Sequence, residues 1–336
     1  MRRPSSPGVL RPRRVALVVV LAGVAAIAAS TSVDASVGAR STASKPRPAS
    51  CVVPGLRTPP DCYEPSFPVR AAFYYPWFPQ AWRQKGLEPF THFTPSLGLY
   101  SSSDASVVRR HLADFTYAGI QVGLASWWGR GTPTDRVFPS LLAITNRLRS
   151  RVRWAVYYEP EGQGDPSVAR LVADLGYIRS RYARNRAYLR VQSRFVVFVY
   201  ADLADGEGMA ARWRQANAAI GNAAYIDLKV FPGYRSSPNQ PQAWHQYSPA
   251  LAEDARAGWS FAVSPGFFKA SESTPRLDRD LARWTTNVSD MVASRAPWQL
   301  ITSFNEWGEG TAVEPATQWS TPSGYGAYLD VLHEIR

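Results

Sequence analysis

Val69–Tyr75 reads VRAAFYY and runs into Pro76-Trp77-Phe78-Pro79; Ser103–Tyr117 then reads SDASVVRRHLADFTY and Gln121–Trp127 reads QVGLASW. The outer two runs are short, β-branched and aromatic, as strands are. The middle run places Val107, Val108, Leu112 and Phe115 near helical spacing. It has an Asp near its start and Gly119 beyond its end, so it reads as a helix. Strand, helix, strand in that order is the unit of a parallel sheet. The first turn is built of Pro and aromatic residues. An open doubly wound sheet, the second choice, normally shows a Gly-rich turn there.

The unit repeats along the chain. Further strand-like runs are Val152–Tyr158, Phe195–Tyr200, Ile226–Phe231, Trp244–Tyr247, Trp259–Val263 and Gln299–Phe304, the Trp244 run being the weakest. Helix-like stretches are Pro139–Leu148, Pro166–Tyr182, Gly208–Ile220, Arg276–Ala293 and Tyr325–Ile335. Eight strands over residues 69–336 match the length of a (β/α)8 TIM barrel, about 250 residues. The expected class is therefore α/β.

Charge narrows the partners. The chain of 336 residues carries 38 basic and 26 acidic side chains, net +12. Eight of the bases and one acid fall in residues 1–50, so more than half of the excess lies ahead of the barrel. Basic residues end at Arg13-Arg14, an uncharged apolar run spans Val15–Ala29, and Val33-Asp34-Ala35 offers a cleavage point. That layout is an export signal. The run is shorter than the roughly 20 residues of a membrane span, though a retained anchor is the alternative. Residues 1–35 are thus a signal peptide or anchor. Residues 36–68 are a Ser/Pro-rich linker, with Cys51 and Cys62 expected to form one local disulfide clip in an exported protein. Residues 69–336 are the barrel. The expected location is secreted or attached to the cell envelope, with a membrane as partner only if the segment is retained. Arg-rich stretches at Arg147–Arg153 and Arg179–Arg186 read as solvated helix ends, so nucleic acid is not an expected partner.

Active sites of such barrels lie at the C-terminal ends of the strands. Those positions read Tyr75-Pro76-Trp77, Trp127-Trp128-Gly129, Glu159-Pro160-Glu161, Tyr200-Ala201-Asp202, Pro265-Gly266-Phe267 and Asn305-Glu306-Trp307-Gly308-Glu309. Flat aromatic faces beside carboxylates suit a sugar, whereas phosphates would want Arg, Lys or a Gly-rich cradle. Glycosidic cleavage needs a proton donor and a second carboxylate, and Glu306 and Glu309 are three apart. The same spacing also fits solvated acids at a helix N-terminus. The four His have no metal-ligand spacing.

The run Ile301–Thr311 (ITSFNEWGEGT), closing with Glu314-Pro315-Ala316, resembles the signature of glycoside hydrolase family 99, the endo-α-mannosidases and endo-α-mannanases. Phe73–Trp77, Pro95–Ser102 with Asp104, Ala125–Gly129, Tyr158–Pro160 and Ser264–Phe267 resemble its other motifs in the same order. The barrels of family 71, α-1,3-glucanases, are a near neighbour. The resemblance implies a retaining hydrolase in which the sugar's own 2-hydroxyl attacks the anomeric carbon. Glu306 would be the base for that hydroxyl and Glu309 the acid/base at the leaving oxygen. Tyr75, Trp127 and Glu159 would line the sugar subsite, with Asn305, Trp307 and Phe267 as further substrate contacts. No metal or cofactor is implied, and a monomer is expected. Three departures bear on the substrate: the family has E-W-H-E where this chain has Gly308, commonly Pro-Gly-Tyr where it has Phe267, and a more polar Thr-Gln-Ile where it has Thr311-Ala312-Val313. The expected function is an exported endo-acting hydrolase of α-mannan or a similar glycan. Its alternatives are a non-catalytic carbohydrate-binding or envelope protein, or a hydrolase of another glycan such as α-glucan.

Overall fold

A computed structural model describes residues 64–202 and 204–336. The export signal, most of the linker and the Cys51–Cys62 clip lie outside the described residues. The elements are β1 (Val69–Tyr74), α1 (Ala105–Tyr117), β2 (Val122–Trp127), α2 (Pro133–Arg147), β3 (Arg153–Tyr158), α3 (Val168–Arg181), β4 (Arg190–Val191), β5 (Arg194–Val199), α4 (Glu207–Ala219), β6 (Ala224–Lys229), β7 (Ala243–His245), β8 (Glu253–Arg256), β9 (Ser260–Val263), α5 (Leu281–Ala293), β10 (Trp298–Ile301) and α6 (Ala327–Glu334).

Eight parallel strands run in the order β7-β6-β5-β3-β2-β1-β10-β9. They curl until β7 approaches β9, with no ladder joining the two. All eight expected strands are present. The short antiparallel strands β4 on β5 and β8 on β9 were not expected. A 3₁₀ turn at Tyr234–Ser236 and the strand β8 take the places where two of the barrel's helices would stand. The result is a nearly closed barrel with six helices among the described residues.

Strand alternation divides the apolar residues into two layers. Phe73, Leu124, Tyr157, Phe198 and Leu300 fill the barrel. Tyr74, Trp127, Trp154, Tyr158 and Val199 face the helices. Gly123 belongs to the second layer by register. A Cβ there would lie 2.3 Å from the Trp154 ring, so the glycine makes room for that indole.

Helix α2 begins six residues before the expected Pro139. Thr132 caps it, its hydroxyl accepting from Asp135 N at 3.3 Å, with Pro133 opening the first turn. Pro139 then lies inside the helix and leaves the Asp135 carbonyl without its helical donor. The Tyr182 hydroxyl donates to that carbonyl at 3.3 Å. A neighbouring tyrosine therefore supplies the bond that proline removes, and the helix continues.

Candidate active site

The segment after β10 carries the two carboxylates and is tied down along both arms. Ser303 N donates to Thr311 O at 3.1 Å, and Val313 N to Ser303 O at 3.0 Å. Phe304 N donates to Phe73 O at 2.8 Å, which holds the loop to β1. Glu306 N donates to Ser303 Oγ at 2.8 Å. Between these anchors the chain turns so that Glu306 and Glu309 face the barrel mouth while Trp307 enters the helix-side core.

Glu306 is buried. Its Oε1 accepts from Glu309 N at 3.2 Å, and its Oε2 has no hydrogen-bond partner. Burial first, and then the charge of Glu309, push its carboxyl well above the usual range. Glu309 is partly open to the mouth. Its Oε2 accepts from the Tyr247 hydroxyl at 3.1 Å, and Lys269 Nζ stands 3.9 Å from its Oε1. Burial raises this carboxyl too, with Lys269, Tyr247 and Arg276 acting against the rise. The two acids interact and titrate as a pair.

Glu159, after β3, joins them. Burial lifts its pKa to about 8, the Ser126 hydroxyl and Lys229 oppose the rise, and Glu309 adds to it. Lys229, at the end of β6, donates to Ala201 O at 2.6 Å and lies over the Tyr200 ring. Burial lowers its pKa to about 8. The hydroxyls of Tyr75 and Tyr247 pair with each other. Glu159 and Glu306 both raise the Tyr75 hydroxyl, after burial and Tyr247. Trp77 donates from Nε1 to Ser126 Oγ at 3.0 Å and meets the rings of Tyr75 and Trp128.

Of the residues expected from sequence, Glu306, Glu309, Tyr75 and Glu159 are brought together. Trp127 is not. It is the outward residue of β2, fully buried against Tyr158 and Tyr177, and donates from Nε1 to Asp135 Oδ1 at 2.9 Å. Its neighbours Ser126 and Trp128 reach the mouth instead. Trp307 is likewise a core residue, stacked on Trp319 and donating to Glu314 Oε2 at 3.0 Å. Asn305 is fully buried and acts as a clamp: its Oδ1 accepts from Tyr75 N at 2.7 Å and its Nδ2 donates to Tyr75 O at 3.1 Å. Phe267 sits beneath the cations of Lys269 and Arg276, each 5.3 Å from its ring centre. It therefore meets the acid pair through these two cations, both of which act on Glu309.

Sequence reasoning missed Tyr247, Lys269, Lys229 and Ser126. Tyr247 closed the weakest strand run, and the lysines are single residues without a motif. It also missed the buried support under the loop. Glu314 accepts from Tyr100 Oη at 2.7 Å and pairs with His111 Nε2 at 3.0 Å, while His111 Nδ1 meets Tyr74 Oη at 3.1 Å.

Phe90 forms one wall of the acid pair. A Cβ on Gly308 would stand 2.8 Å from its ring and 3.1 Å from Glu306 Oε1. The glycine thus lets an aromatic edge close over the peptide that joins the two carboxylates. Beyond it, Phe268 N donates to Glu309 O and Ala270 N to Gly308 O, both at 2.9 Å. These bonds fix the strap that carries Lys269. Glu161, Asp165 and Asp205 form a separate acidic group whose oxygens lie within 4.8 Å of one another. Arg212 pairs with Glu161 and Asp165 there, so a guanidinium already supplies the positive charge.

Residues 71–225 match the family model described as glycosyl hydrolase family 99. That stretch contains Tyr75 and Glu159 and ends before the acid pair. Among curated proteins, the mouse glycoprotein endo-alpha-1,2-mannosidase-like protein is 26% identical over 282 residues, covering 71% of this chain and 61% of its own length. The mouse glycoprotein endo-alpha-1,2-mannosidase is 23% identical over 284 residues, covering 71% and 59%. The chain therefore spans about 60% of the length of these relatives. Among solved structures, the GH99 endo-alpha-mannosidase of Bacteroides thetaiotaomicron in complex with bis-tris-propane superposes with a TM-score of 0.62 at 20% identity, over 80% of this chain and 94% of that one. A glycoside hydrolase-like protein superposes with a TM-score of 0.58 at 17% identity, over 83% and 96%. These two likenesses are of fold.

Proposed function

We propose, since the chain belongs to glycosyl hydrolase family 99, that it is an exported, retaining, endo-acting hydrolase of α-mannan or a similar α-linked glycan. The observation that carries this reading is the convergence of Glu306 and Glu309 on one barrel mouth with Tyr75, Tyr247 and Glu159 around them. Burial raises both carboxyls, and the charge of Glu309 lifts Glu306 further. One acid and one base can share this mouth, and this reading requires the proton to sit on Glu309 once a sugar hydroxyl meets Glu306.

In this reading Glu306 takes the proton of the sugar's 2-hydroxyl, and that oxygen attacks the anomeric carbon. Glu309 gives its proton to the departing glycosidic oxygen. Glu309 then removes a proton from water, whose oxygen attacks the anomeric carbon and breaks its bond to the 2-oxygen, while Glu306 returns its proton to that 2-oxygen. The original anomeric configuration and both carboxyls are restored. Several features of the site support these roles. Glu306 Oε2 is buried without a partner, free to face an incoming hydroxyl. Glu309 is the more open of the two, as a group working on the leaving side must be. Tyr247 and Lys269 hold its carboxylate in place. Glu159 and Tyr75 offer hydroxyl-binding groups across the mouth, and Trp77 and Trp128 offer apolar faces for ring stacking. The apolar run ahead of the linker supports export.

The test is digestion of a panel of α-mannans and α-glucans, with product linkage and anomeric configuration read by NMR. Glu306→Gln and Glu309→Gln are each expected to abolish release of new reducing ends while glycan retention on affinity gels survives. Full activity in either variant removes the role assigned to that residue. Retention without product from the wild type would instead make the chain a carbohydrate-binding protein.

A further inference from the structure

The barrel face opposite the cleft carries a second feature. Helix C-termini and strand N-termini meet there, and between α2 and β5 nine arginines fall on that face. Arg147, Arg149 and Arg151 end α2 and its loop; Arg179, Arg181, Arg184 and Arg186 end α3; Arg190 and Arg194 sit on the β4–β5 hairpin. The first three, with Arg179, Arg181 and Arg184, are exposed. The two helix ends are one surface, because Arg186 Nε donates to Asn146 Oδ1 at 2.9 Å and Asn146 Nδ2 to Asn185 Oδ1 at 2.5 Å.

The acids of the same sector lie elsewhere. From residue 135 to residue 207 they are Asp135, Glu159, Glu161, Asp165, Asp174, Asp202, Asp205 and Glu207. All sit at the cleft end of their elements except Asp174, which lies mid-helix and is held by Arg130 and Arg170. Among the described residues Glu64 is the one acid on the underside of this sector, and burial pushes its carboxyl toward the neutral form against the charge of Arg190. A coding preference for Arg over Lys explains which base is used. It does not explain why the two signs part to opposite ends of the barrel.

Two apolar side chains stand among these cations. Leu148 is 46% exposed between Arg147 and Arg149, and Phe67 is 37% exposed where the chain enters the barrel. Entry is on this same face, since Glu64 senses Arg190 and accepts a hydrogen bond from the Ser193 backbone. In sequence, the Ser/Pro-rich stretch and the apolar run Val15–Ala29 precede this point of entry.

From this we infer that the arginine underside is a docking surface for an anionic phospholipid membrane, holding the barrel with its cleft turned away from the bilayer. Cations spread over a broad face gain from the negative surface potential of such a membrane, and an exposed leucine between arginines can enter the headgroup boundary. A nucleic acid would want a row of exposed aromatic rings to stack successive bases, and Phe67 is a single ring that already meets Trp298 edge to face, at 5.1 Å between ring centres. The tyrosines of this sector are occupied instead: Tyr177 and Tyr182 donate to Asp135, and Tyr188 donates to Val196 O at 2.7 Å.

The experiment is sedimentation of the full chain with vesicles of phosphatidylcholine alone or mixed with phosphatidylglycerol, at low and high salt. Every variant keeps the apolar N-terminal run, so its contribution cancels between them. Wild type is expected to prefer the anionic vesicles, and to lose that preference at high salt. At roughly fivefold per cation, R179Q/R181Q/R184Q should weaken binding about a hundredfold. The neighbouring variant R147Q/L148S/R149Q should weaken it too, and thermal melts verify that each is folded. The cleft-half variant R83Q/R109Q/R136Q, equal in net charge, should bind as wild type does. Equal binding to both kinds of vesicle, or equal loss in the cleft-half variant, overturns the inference. So does displacement from the vesicles by an oligonucleotide at matched charge concentration. Hydrolysis of a soluble glycan by the underside variants is expected to match wild type, so docking and catalysis are read separately.

Discussion

Lys269→Met removes one cation from beside Glu309 and leaves a side chain of similar length. The ammonium stands 3.9 Å from Glu309 Oε1. At that distance the attraction is about 1 kcal/mol in water and about 4 kcal/mol at an effective dielectric of about 20. The lysine side chain is 10% exposed and the glutamate 24%, so the site lies between these limits. About 2 kcal/mol is a fair central figure, or about 1.5 pH units at 1.36 kcal/mol per unit. The sign follows from which form the lysine favours. A cation stabilises ionised Glu309, so its removal lets the carboxyl keep its proton to higher pH. If Glu309 is the proton donor, the alkaline limb of the kcat/KM profile moves up by about 1.5 units. Burial, Tyr247 and Arg276 remain around it, with Glu272 on the side of the rise. The assay is reducing-end release from a mannan oligosaccharide across the pH range. Lys269→Arg keeps the charge and should keep the limb near its wild-type position. An alkaline limb that stays put or moves down refutes the electrostatic reasoning. Movement of the acid limb instead would mean that Glu309 works ionised, and the two catalytic roles would have to be exchanged.

Glu159 makes stability depend on pH. Its pKa is raised to about 8 from 4.5, so between those values the folded protein holds a proton that the unfolded chain has released, and stability falls as pH rises through that window. Glu159→Gln should reduce this slope in urea denaturation measured at both ends of the window; an unchanged slope contradicts the raised pKa. The two tryptophans of the strand ends should separate by effect. Trp127→Phe removes a buried bond to Asp135 and should cost about 1–3 kcal/mol of stability with KM unchanged, whereas Trp77→Phe should raise KM at little cost in stability. A raised KM for Trp127→Phe would return that residue to the sugar subsite.

The parts that the sequence disclosed are those with a period. All eight barrel strands could be read because each is a short β-branched or aromatic run between turn signals, and the helices followed from apolar spacing. The start of α2 could not, because Pro139 looks like a first residue. The Tyr182 hydroxyl, which arrives from another element and bonds the Asp135 carboxylate, also stands by the carbonyl that proline leaves without its helical donor. The acid pair was visible as a motif. Which tryptophan meets the mouth was not, since Trp127 and Trp128 are adjacent and only the register of β2 decides which one turns inward. Asn305 and Trp307 stood in the motif and were read as substrate contacts; the fold uses them to hold the loop. Tyr247 and Lys269 carry no local signal at all, because they reach Glu309 from β7 and from the strap after β9.

The charge of the barrel is ordered in a way that its net value conceals. Lysine is scarce, and among the described residues it occurs only at Lys85, Lys229 and Lys269. Each stands at the cleft: Lys85 lies 6.0 Å from the Phe90 ring, Lys229 is felt by Glu159, and Lys269 faces Glu309. Everywhere else the cations are arginines. An ammonium is compact and lacks the guanidinium's planar fork, so it can neutralise a carboxylate in a crowded mouth without bridging two oxygens at once. Exposed arginines collect on the underside between α2 and β5. Lysine therefore offsets the acids of the mouth, with Arg276 acting beside Lys269 on Glu309, and arginine charges the surface that faces away from it. Exchanging the two, with arginine at 269 and lysines below, would keep the net charge; the larger cation would crowd the mouth while holding the pH limb, and the underside, which depends mainly on the number of its cations, would stay close to wild type.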